Sequence, residues 1–380
     1  MSPPRRTGAC ASNSAQEAPK DPTPDWPAEY LGPTTGGWGG EETAGEHAVR
    51  IARGVLLVFI IAGMTIWAIG AIYYSPLLSA RWRPLVAGSY AAITALALLM
   101  IPRRRLTAAV LAVICAILVV LFSRILASND RDWQPEVAVM PWAEIDGTRV
   151  TIHGVRNLDY RTETDFTARW EDRAYDLGKL DSVDLVAAYW AGRAIAHLML
   201  SFGFERKDYV AISIELRKER GERYSTLAGF FKQYELVYVV ADERDVIGVR
   251  TTYRRPQEEV YIYRIRAPRE NIRRAFLDYL KTINEMREQP RFYNTLTTNC
   301  TTGIWVHTKV NPESPPWSWK ILLSGYIPER LYQLGRLDMT RPFAELERLS
   351  YVSARARAAD KNSAFSQRIR EGLPQPTQVP

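Results

Sequence analysis

Residues 294–305 read NTLTTNCTTGIW, and they place a cysteine where a helix is expected to begin. Asn299, or Thr298 before it, is a good helix N-cap, so Cys300 is predicted to lie in the first helical turn. There the exposed backbone N–H groups and the helix dipole favour an anion, so the thiol loses its proton more easily. The same N–H groups are expected to hold a developing oxyanion. This stretch therefore predicts an activated cysteine.

The chain contains three cysteines, and neither of the other two is placed to pair with Cys300. Cys10 lies in a Pro/Gly-rich leader, and Cys115 lies inside an apolar run. Three cysteines in three different segments exclude a disulfide framework. Cys300 is therefore predicted to be a free thiol.

A cysteine nucleophile needs a base, and three histidines follow the apolar part of the chain: His153, His197 and His307. His307 lies two turns after Cys300 on the same predicted helix, ~10 Å away, so a cation at the helix C-terminus is its favoured interpretation. His153 stays open. His197 lies within an apolar strand, where a polar ring is costly unless it is paired. It is either a satisfied core histidine or the base, and we favour the base.

Glu215 is the candidate for a group that orients His197, because it lies on the next predicted strand. An even-numbered hairpin would place residue 216 opposite His197 and turn Glu215 to the other side of the sheet. A bulge or an odd-numbered loop would bring Glu215 opposite His197. The alternative is an exposed carboxylate paired with Arg217 or Lys218, and both interpretations stay open.

Three long apolar runs precede the histidines and predict a transmembrane region over residues 51–127. The predicted helices cover about residues 54–76, 84–102 and 106–126. An arginine cluster in the sequence PRRR separates the second and third runs, which is typical of a short cytoplasmic loop. The N-terminus would then be cytoplasmic and the chain after about residue 127 would lie outside the bacterial inner membrane. A buried helical hairpin of a soluble protein is the less favoured alternative.

The remaining segments divide by composition. Residues 1–50 are rich in Pro, Gly and small polar residues, and are predicted to be a disordered cytoplasmic leader. Residues 135–345 are predicted to form an extracytoplasmic α+β domain with an antiparallel sheet, because short alternating segments such as YVAISIEL and EVYIYRI follow one another closely. Residues 269–288 have an apolar stripe at helical spacing and predict an amphipathic helix packed on the sheet. Residues 346–380 are predicted to be a final helix and a tail.

Charge and motifs exclude several function classes. The 380 residues carry a net charge of +7, and no basic run interleaves with aromatic residues, so nucleic-acid binding is not expected. Neither a cysteine pair nor a His-x-x-x-His spacing is present, so no metal site is expected. The sequence also lacks a G-x-S-x-G elbow, a Walker loop and a dinucleotide fingerprint, and no cofactor is expected.

Five motifs in this order resemble the bacterial domain family typified by the extracytoplasmic domain of the lipoprotein transacylase Lnb: RNLDYRTETDF, YDLGKLDSVDL, AIAHLMLSFGF, YVAISIELRKERGE and YNTLTTNCTT. The order, histidine first and cysteine later at a helix start, is also similar to the permuted papain-like layout of lecithin–retinol acyltransferases. The resemblance implies thiol acyltransferase chemistry. It implies Cys300 as the nucleophile, His197 as the base and Glu215 as the group that orients the base.

Together these features predict a membrane-anchored, cysteine-dependent acyltransferase or hydrolase that acts on lipid or lipoprotein esters through a thioester. Its expected partner is a membrane lipid or a lipoprotein. The alternatives are a cell-wall cysteine peptidase or amidase, and a non-enzymatic envelope protein in which Cys300 is a structural thiol. An apolar slot open to the membrane would favour lipid, whereas an open acidic groove would favour a peptide.

Overall fold

The computed structural model describes residues 44–190 and 192–376. The chain divides into two compact units, Met1–Leu57 and Val58–Pro380. The described part of the first unit is the beginning of a helix. The second unit contains the remaining helices and the β-sheet. Cys10 and most of the predicted leader lie outside the described residues.

Three apolar helices come first: α1 (Ala44–Tyr74), α2 (Arg83–Met100) and α3 (Arg104–Ser123). Each is long and apolar enough to cross a membrane. Helix α1 begins within the predicted leader. The arginine cluster lies at the short connection between α2 and α3, where the sequence predicts a loop. The three predicted apolar helices are therefore confirmed, and their length and composition suit a membrane anchor.

The remaining chain forms a mixed α+β structure. Its strands are β1 (Trp142–Asp146), β2 (Arg149–Arg156), β3 (Asp159–Tyr160), β4 (Phe166–Thr167), β5 (Trp170–Asp176), β6 (Leu180–Tyr189), β7 (Ala196–Phe204), β8 (Asp208–Arg217), β9 (Glu235–Ala241) and β10 (Glu259–Arg264). Its helices are α4 (Glu243–Val246), α5 (Arg269–Glu288), α6 (Cys300–Thr308), α7 (Ile327–Gln333), α8 (Phe343–Ser350), α9 (Ser353–Ala358) and α10 (Phe365–Arg368).

Eight strands form the main sheet, in the order β1-β2-β9-β8-β7-β6-β10, with β5 also paired to β2. Every pair is antiparallel except β2 and β9, which run parallel through the pairing of Arg156 with Ala241. The predicted class, an α+β domain with an antiparallel sheet behind three apolar helices, is confirmed. Strands β1 and β5, which are short or rich in charged residues, were not predicted by the alternation pattern.

Both faces of the sheet are covered. The first face packs against α5 and α6, with the predicted apolar stripe of α5 fully buried at its centre. The second face packs against α4 and the C-terminal helices. Where the sequence predicts one final helix, the structure has two short ones, α9 and α10, separated by a turn in which Lys361 adopts a φ of 64°. Strands buried on both faces have no polar side to expose, so they read as apolar runs.

A buried network of charges joins the C-terminal segment to the second face. The Arg370 guanidinium lies 2.8 Å from Asp184 on β6 and 2.6 Å from Glu243 on α4. Arg264 on β10 also contacts Asp184. Burial alone raises the pKa of Asp184, but the charges of Arg264 and Arg370 outweigh it and lower the pKa. Asp184 is therefore a buried carboxylate that depends on its two arginines.

We expect Arg370→Ala to lower the free energy of unfolding by roughly 3–5 kcal/mol, because it leaves two buried carboxylates with less compensating charge. The matched control is Arg368→Ala, which removes an exposed arginine two residues earlier, at the end of α10. Denaturant unfolding of the full chain in detergent micelles, followed by tryptophan fluorescence, compares the two variants. Equal stability of both would show that the network does not hold the C-terminal segment in place.

Candidate functional site

Helix α6 begins at Cys300 and is capped by Asn299. The Asn299 Oδ1 accepts hydrogen bonds of 2.9 Å from the N–H groups of Thr301 and Thr302. In return, the Thr302 hydroxyl accepts the N–H of Asn299 at 2.8 Å, which completes a capping box. The cap that the sequence predicts is present. The Asn299 side chain occupies the N–H groups of Thr301 and Thr302, which were expected to hold an oxyanion. The N–H of Cys300 itself is the group in this turn that is left for that role.

His197 and Glu215 lie on the adjacent antiparallel strands β7 and β8. The turn between these strands has three residues, because Phe204 pairs with Asp208. The register continues to Met199 opposite Ser213, and its extension sets His197 opposite Glu215, on the same face. The His197 Nε2 lies 3.1 Å from the Glu215 Oε1. The odd-numbered loop, one of the two cases left open by the sequence, is the one that the structure adopts.

Cys300 meets His197 where the two strands separate. Past Met199 and Ser213 strands β7 and β8 no longer pair with each other, although each still pairs with its other neighbour. The His197 side chain and the backbone N–H of Leu198 lie close enough to the Cys300 thiol to lower its pKa. Because Nε2 of His197 faces Glu215, Nδ1 is the nitrogen left for the sulfur. The structure therefore brings Cys300, His197 and Glu215 together in one row.

A glycine one turn into α6 allows this approach. A Cβ atom added to Gly303 would lie 2.4 Å from the Cδ1 of Ile214 on β8. The helix therefore packs against the strand more closely than a larger residue would permit. Cys300, one turn earlier, is carried to the level of the sheet.

Two residues that sequence analysis did not identify complete the row. Ser213 lies between the other groups: its hydroxyl is 2.6 Å from the His197 Nε2 and donates to the Glu215 Oε1 at 2.8 Å. Arg250, only 3% exposed, donates to the same oxygen of Glu215 at 2.9 Å. Ser213 shares a strand face with Glu215 at i, i+2 spacing, which is a readable signal. Arg250 comes from a π-helical turn, Val249–Tyr253, and nothing local marks it.

The charges along this row alternate and shift each pKa. Burial alone raises the pKa of the Cys300 thiol, but the charge and hydrogen bond of His197 outweigh burial and lower it. Burial alone lowers the pKa of His197, yet the charges of Glu215 and Cys300 raise it to about 9. Burial raises the pKa of Glu215, whereas His197 and Arg250 hold it well below its ordinary value. These directions favour a thiolate–imidazolium pair near neutral pH.

The other two histidines take part in separate contacts. The His153 Nδ1 lies 2.8 Å from Asp172, and its ring stacks on Trp142. His307 is buried, with Nδ1 2.7 Å from Asp278 and Nε2 2.8 Å from the Tyr238 hydroxyl. Burial lowers the pKa of His307 despite Asp278, which disfavours the cation predicted at the helix C-terminus. The ring is buried because the helix end packs into the core.

Aromatic side chains border the thiol. Burial raises the pKa of Tyr293, and the charges of Cys300, Tyr224 and Glu215 add to this effect. Tyr224 packs edge-to-face on Trp190. We name Trp190, Tyr224 and Tyr293 the aromatic mouth, because these rings lie on the side of the site where Tyr293 senses the charge of Cys300.

An apolar groove of about 330 Å³ lies along the outer side of α6. Its lining residues are Leu296, Thr297, Thr302, Trp305, Val306, Trp317 and Leu322. One end of the groove is formed by the loop that leads into Cys300. Within residues 44–190 and 192–376, no group of three or more His, Cys, Asp or Glu side chains is arranged to hold a metal ion.

Comparison with known families bears on this geometry. Residues 166–325 match the family model of the Lnb N-terminal periplasmic domain. The predicted resemblance is confirmed over this segment. It contains Cys300, His197 and Glu215. Searches of curated proteins and of solved structures gave no significant match. A periplasmic domain family and three apolar helices fit a membrane-anchored protein.

We expect Cys300 to react with a small alkylating reagent below the ordinary cysteine pKa of ~8.5, because His197 stabilises its thiolate. His197→Gln removes the compensating cation and leaves the burial, so the pH midpoint of alkylation should rise by roughly 1–3 units. The measurement is peptide mass spectrometry of the labelled residue across a pH series. His153→Gln is the matched control and should leave the midpoint unchanged. An unaltered midpoint in His197→Gln would contradict the proposed ion pair.

Proposed function

We propose that this protein is a membrane-anchored cysteine acyltransferase or hydrolase that acts on lipid or lipoprotein esters through a thioester. The observation that carries the proposal is the row formed by Cys300, His197 and Glu215, in which a lowered thiol pKa and a raised imidazole pKa occur together. A thiol used only for packing needs neither an imidazole partner nor a place at a helix start. Perturbed groups that interact in this way are typical of functional sites.

The proposed reaction begins with the thiolate. The Cys300 sulfur attacks the ester carbonyl, and the N–H of Cys300 donates to the oxyanion that forms. The C–O bond to the alcohol then breaks while His197 transfers its proton to the leaving oxygen. The products of this half are a thioester and a neutral imidazole. An amine or water next attacks the thioester, His197 takes a proton from it, and the thiolate leaves with an amide or an acid as product.

Glu215 and its partners act as positioning groups. The His197 Nε2 contacts the Ser213 hydroxyl at 2.6 Å and lies 3.1 Å from the Glu215 Oε1, which holds Nδ1 toward the sulfur. Ser213 fills the space between the two side chains, and Arg250 keeps Glu215 ionised. Since Glu215 is the largest cause that raises the pKa of His197, its charge keeps the imidazole protonated until the alcohol leaves.

The groove along α6 favours a lipid ester over a peptide. Its lining is aliphatic and aromatic apart from two threonines, and it starts at the loop before Cys300. Burial of an acyl chain contributes about 0.8 kcal/mol of favourable free energy for each methylene, so this apolar groove is suited to bind one. An acidic groove would favour a cell-wall peptidase or amidase, but the lining of this groove contains no acidic side chain.

The arginine cluster supports a topology for the proposed enzyme. Arg103 and Arg105 lie at the short connection between α2 and α3, and arginines in short loops favour the cytoplasmic side. Helix α3 would then end outside the inner membrane, and the sheet that follows would lie on the periplasmic side. An acyl substrate that stays in the bilayer would be within reach of the site.

We expect the full chain, reconstituted with bacterial membrane lipid, to form an acyl adduct on Cys300 that hydroxylamine removes. Intact-mass measurement followed by peptide mapping detects the added acyl mass. Cys300→Ser should show no adduct, and His197→Gln should form it ~10²- to 10⁴-fold more slowly, which is the usual range for a lost acid–base group. Cys115→Ser is the control and should acylate normally. An adduct that persists in Cys300→Ser would contradict the proposal.

We expect Val306→Glu to raise the KM for long-chain esters ~10-fold or more, because a charge in the groove displaces about two buried methylenes. Val310→Glu is the matched control, since Val310 is exposed just past α6 and does not line the groove. Both variants should react equally with a short, water-soluble ester. A long-chain KM that both substitutions leave unchanged would exclude the groove as the acyl site.

A further inference from the structure

The end of the sheet that carries the candidate site faces the apolar helices. After α3 the chain reaches Ser128, whose N–H donates to the Glu235 carboxylate at 3.2 Å, and Arg131 contacts the same oxygen at 2.8 Å. Glu235 is the first residue of β9, and Glu215 pairs with Val237 two residues along that strand. Two residues of a strand span roughly 7 Å. The site therefore lies close to the end of α3.

Residues 224–232, which we name the docking loop, contact the ends of two apolar helices. Phe231 stacks on Tyr74, the last residue of α1, with ring centroids 5.8 Å apart. The same ring lies so close to Gly70 that a Cβ atom there would be 2.3 Å from it. The Lys232 Nζ donates to the backbone carbonyls of Phe122 at 2.9 Å and Ile125 at 3.0 Å. The docking loop therefore contacts the ends of both α1 and α3.

The contact with Gly70 sets the depth of the docking loop. Gly70 precedes the end of α1 by four residues, which is about 6 Å along a helix. Phe231 therefore reaches the level of the last turn of α1. This turn belongs to a segment long and apolar enough to span a membrane. A side chain at that level lies at the depth of the lipid interface.

The other side of the docking loop contacts the loop before Cys300. The Thr295 hydroxyl donates to the Thr226 carbonyl at 2.8 Å, and the Thr295 N–H donates to the Gly229 carbonyl at 3.3 Å. A Cβ on Gly229 would lie 2.2 Å from the Thr295 hydroxyl, so the two loops are in close contact. Tyr224, the first residue of the docking loop, belongs to the aromatic mouth. One short segment therefore connects the helix ends with the candidate site.

Three apolar side chains of the docking loop are exposed to a large extent. Leu227 is 59% exposed, Phe230 39% and Tyr224 51%. They lie between Phe231, which reaches the level of the last turn of α1, and the aromatic mouth. Exposed apolar groups in such a cluster mark an interaction surface, and a leucine with two aromatic rings is typical of one that enters a lipid interface.

We propose that the docking loop inserts into the outer leaflet of the bilayer that the apolar helices span, and that it opens the aromatic mouth sideways to lipid. This inference rests on the topology in the proposed function. Insertion covers Leu227 and Phe230 with acyl chains. An ester lipid then reaches Cys300 along the loop without leaving the bilayer.

Spin labels at single cysteines test the insertion. The full chain carries Cys10→Ser, Cys115→Ser and Cys300→Ser, with Leu227→Cys or Phe230→Cys as the labelled position. Lys207→Cys is the control, because Lys207 is exposed in the β7–β8 turn, at the opposite end of the sheet. In nanodiscs of phosphatidylcholine and phosphatidylglycerol, oxygen collides more often with labels in lipid, and a nickel chelate with labels in water.

We expect the oxygen-to-nickel collision ratio at positions 227 and 230 to be several-fold higher than at position 207. A ratio equal to that of the control at both positions would overturn the insertion. The background lacks Cys300, so this result does not depend on the proposed chemistry. Conversely, if the active chain forms no acyl adduct, the proposed enzymatic activity is excluded, but the measured depth of the docking loop still stands.

A substitution in the active chain tests the sideways opening. Leu227→Glu should reduce acylation of Cys300 by an ester lipid in the bilayer several-fold, because the charge withdraws the loop from the interface. Acylation by a short, water-soluble ester should stay unchanged, since Leu227 does not contact the reacting groups. An equal rate with the bilayer lipid in both proteins would show that substrate enters by another route.

Discussion

The separation of β7 from β8 is the constraint on which the rest of the site depends. Paired strands would use their backbone groups on each other and would leave no room between them. Here the pairing stops at Met199 and Ser213, while β7 stays paired with β6 and β8 stays paired with β9. The N–H of Leu198 is not paired with β8, and it lowers the pKa of Cys300. The local loss of three residue pairs between β7 and β8 therefore creates a place for the sulfur beside a free backbone N–H.

Charge alternates from the interior to the thiol. Arg250 is almost completely buried, Glu215 accepts its hydrogen bond, His197 follows, and Cys300 ends the series. Each member offsets the desolvation of the next, so no single charge is buried alone. The series also has a direction, because the fixed cation is deepest and the nucleophile is nearest the aromatic mouth. Removal of an inner member would change the protonation of the outer ones.

The anchor and the site share one structural segment. Phe231 and Lys232 are held by the ends of α1 and α3, and a few residues earlier the same segment contacts Thr295. A movement of the apolar helices would therefore reach the loop before Cys300 through backbone contacts. In a membrane-anchored protein this arrangement keeps the thiol at a constant height above the bilayer.

The sequence alone determines the features that depend on local chemistry. Apolar runs without charges predict α1, α2 and α3, the stripe of α5 predicts its buried face, and Asn299 beside two threonines predicts the capped start of α6. Each depends on spacing over a few residues, which the linear order contains. The five ordered motifs also resemble the Lnb family, and residues 166–325 match the family model of its N-terminal periplasmic domain.

Only the tertiary structure decided which distant side chains meet. One residue in the β7–β8 turn determines whether Glu215 faces His197 or the opposite side, because side chains alternate along a strand. Arg250 comes from a turn with no local signal, and His307 became a buried core residue that contacts Asp278 and Tyr238. The groove and the docking loop also combine segments far apart in the chain. Such contacts depend on how distant helices and strands pack together, and the local sequence pattern does not specify which of them pack against each other.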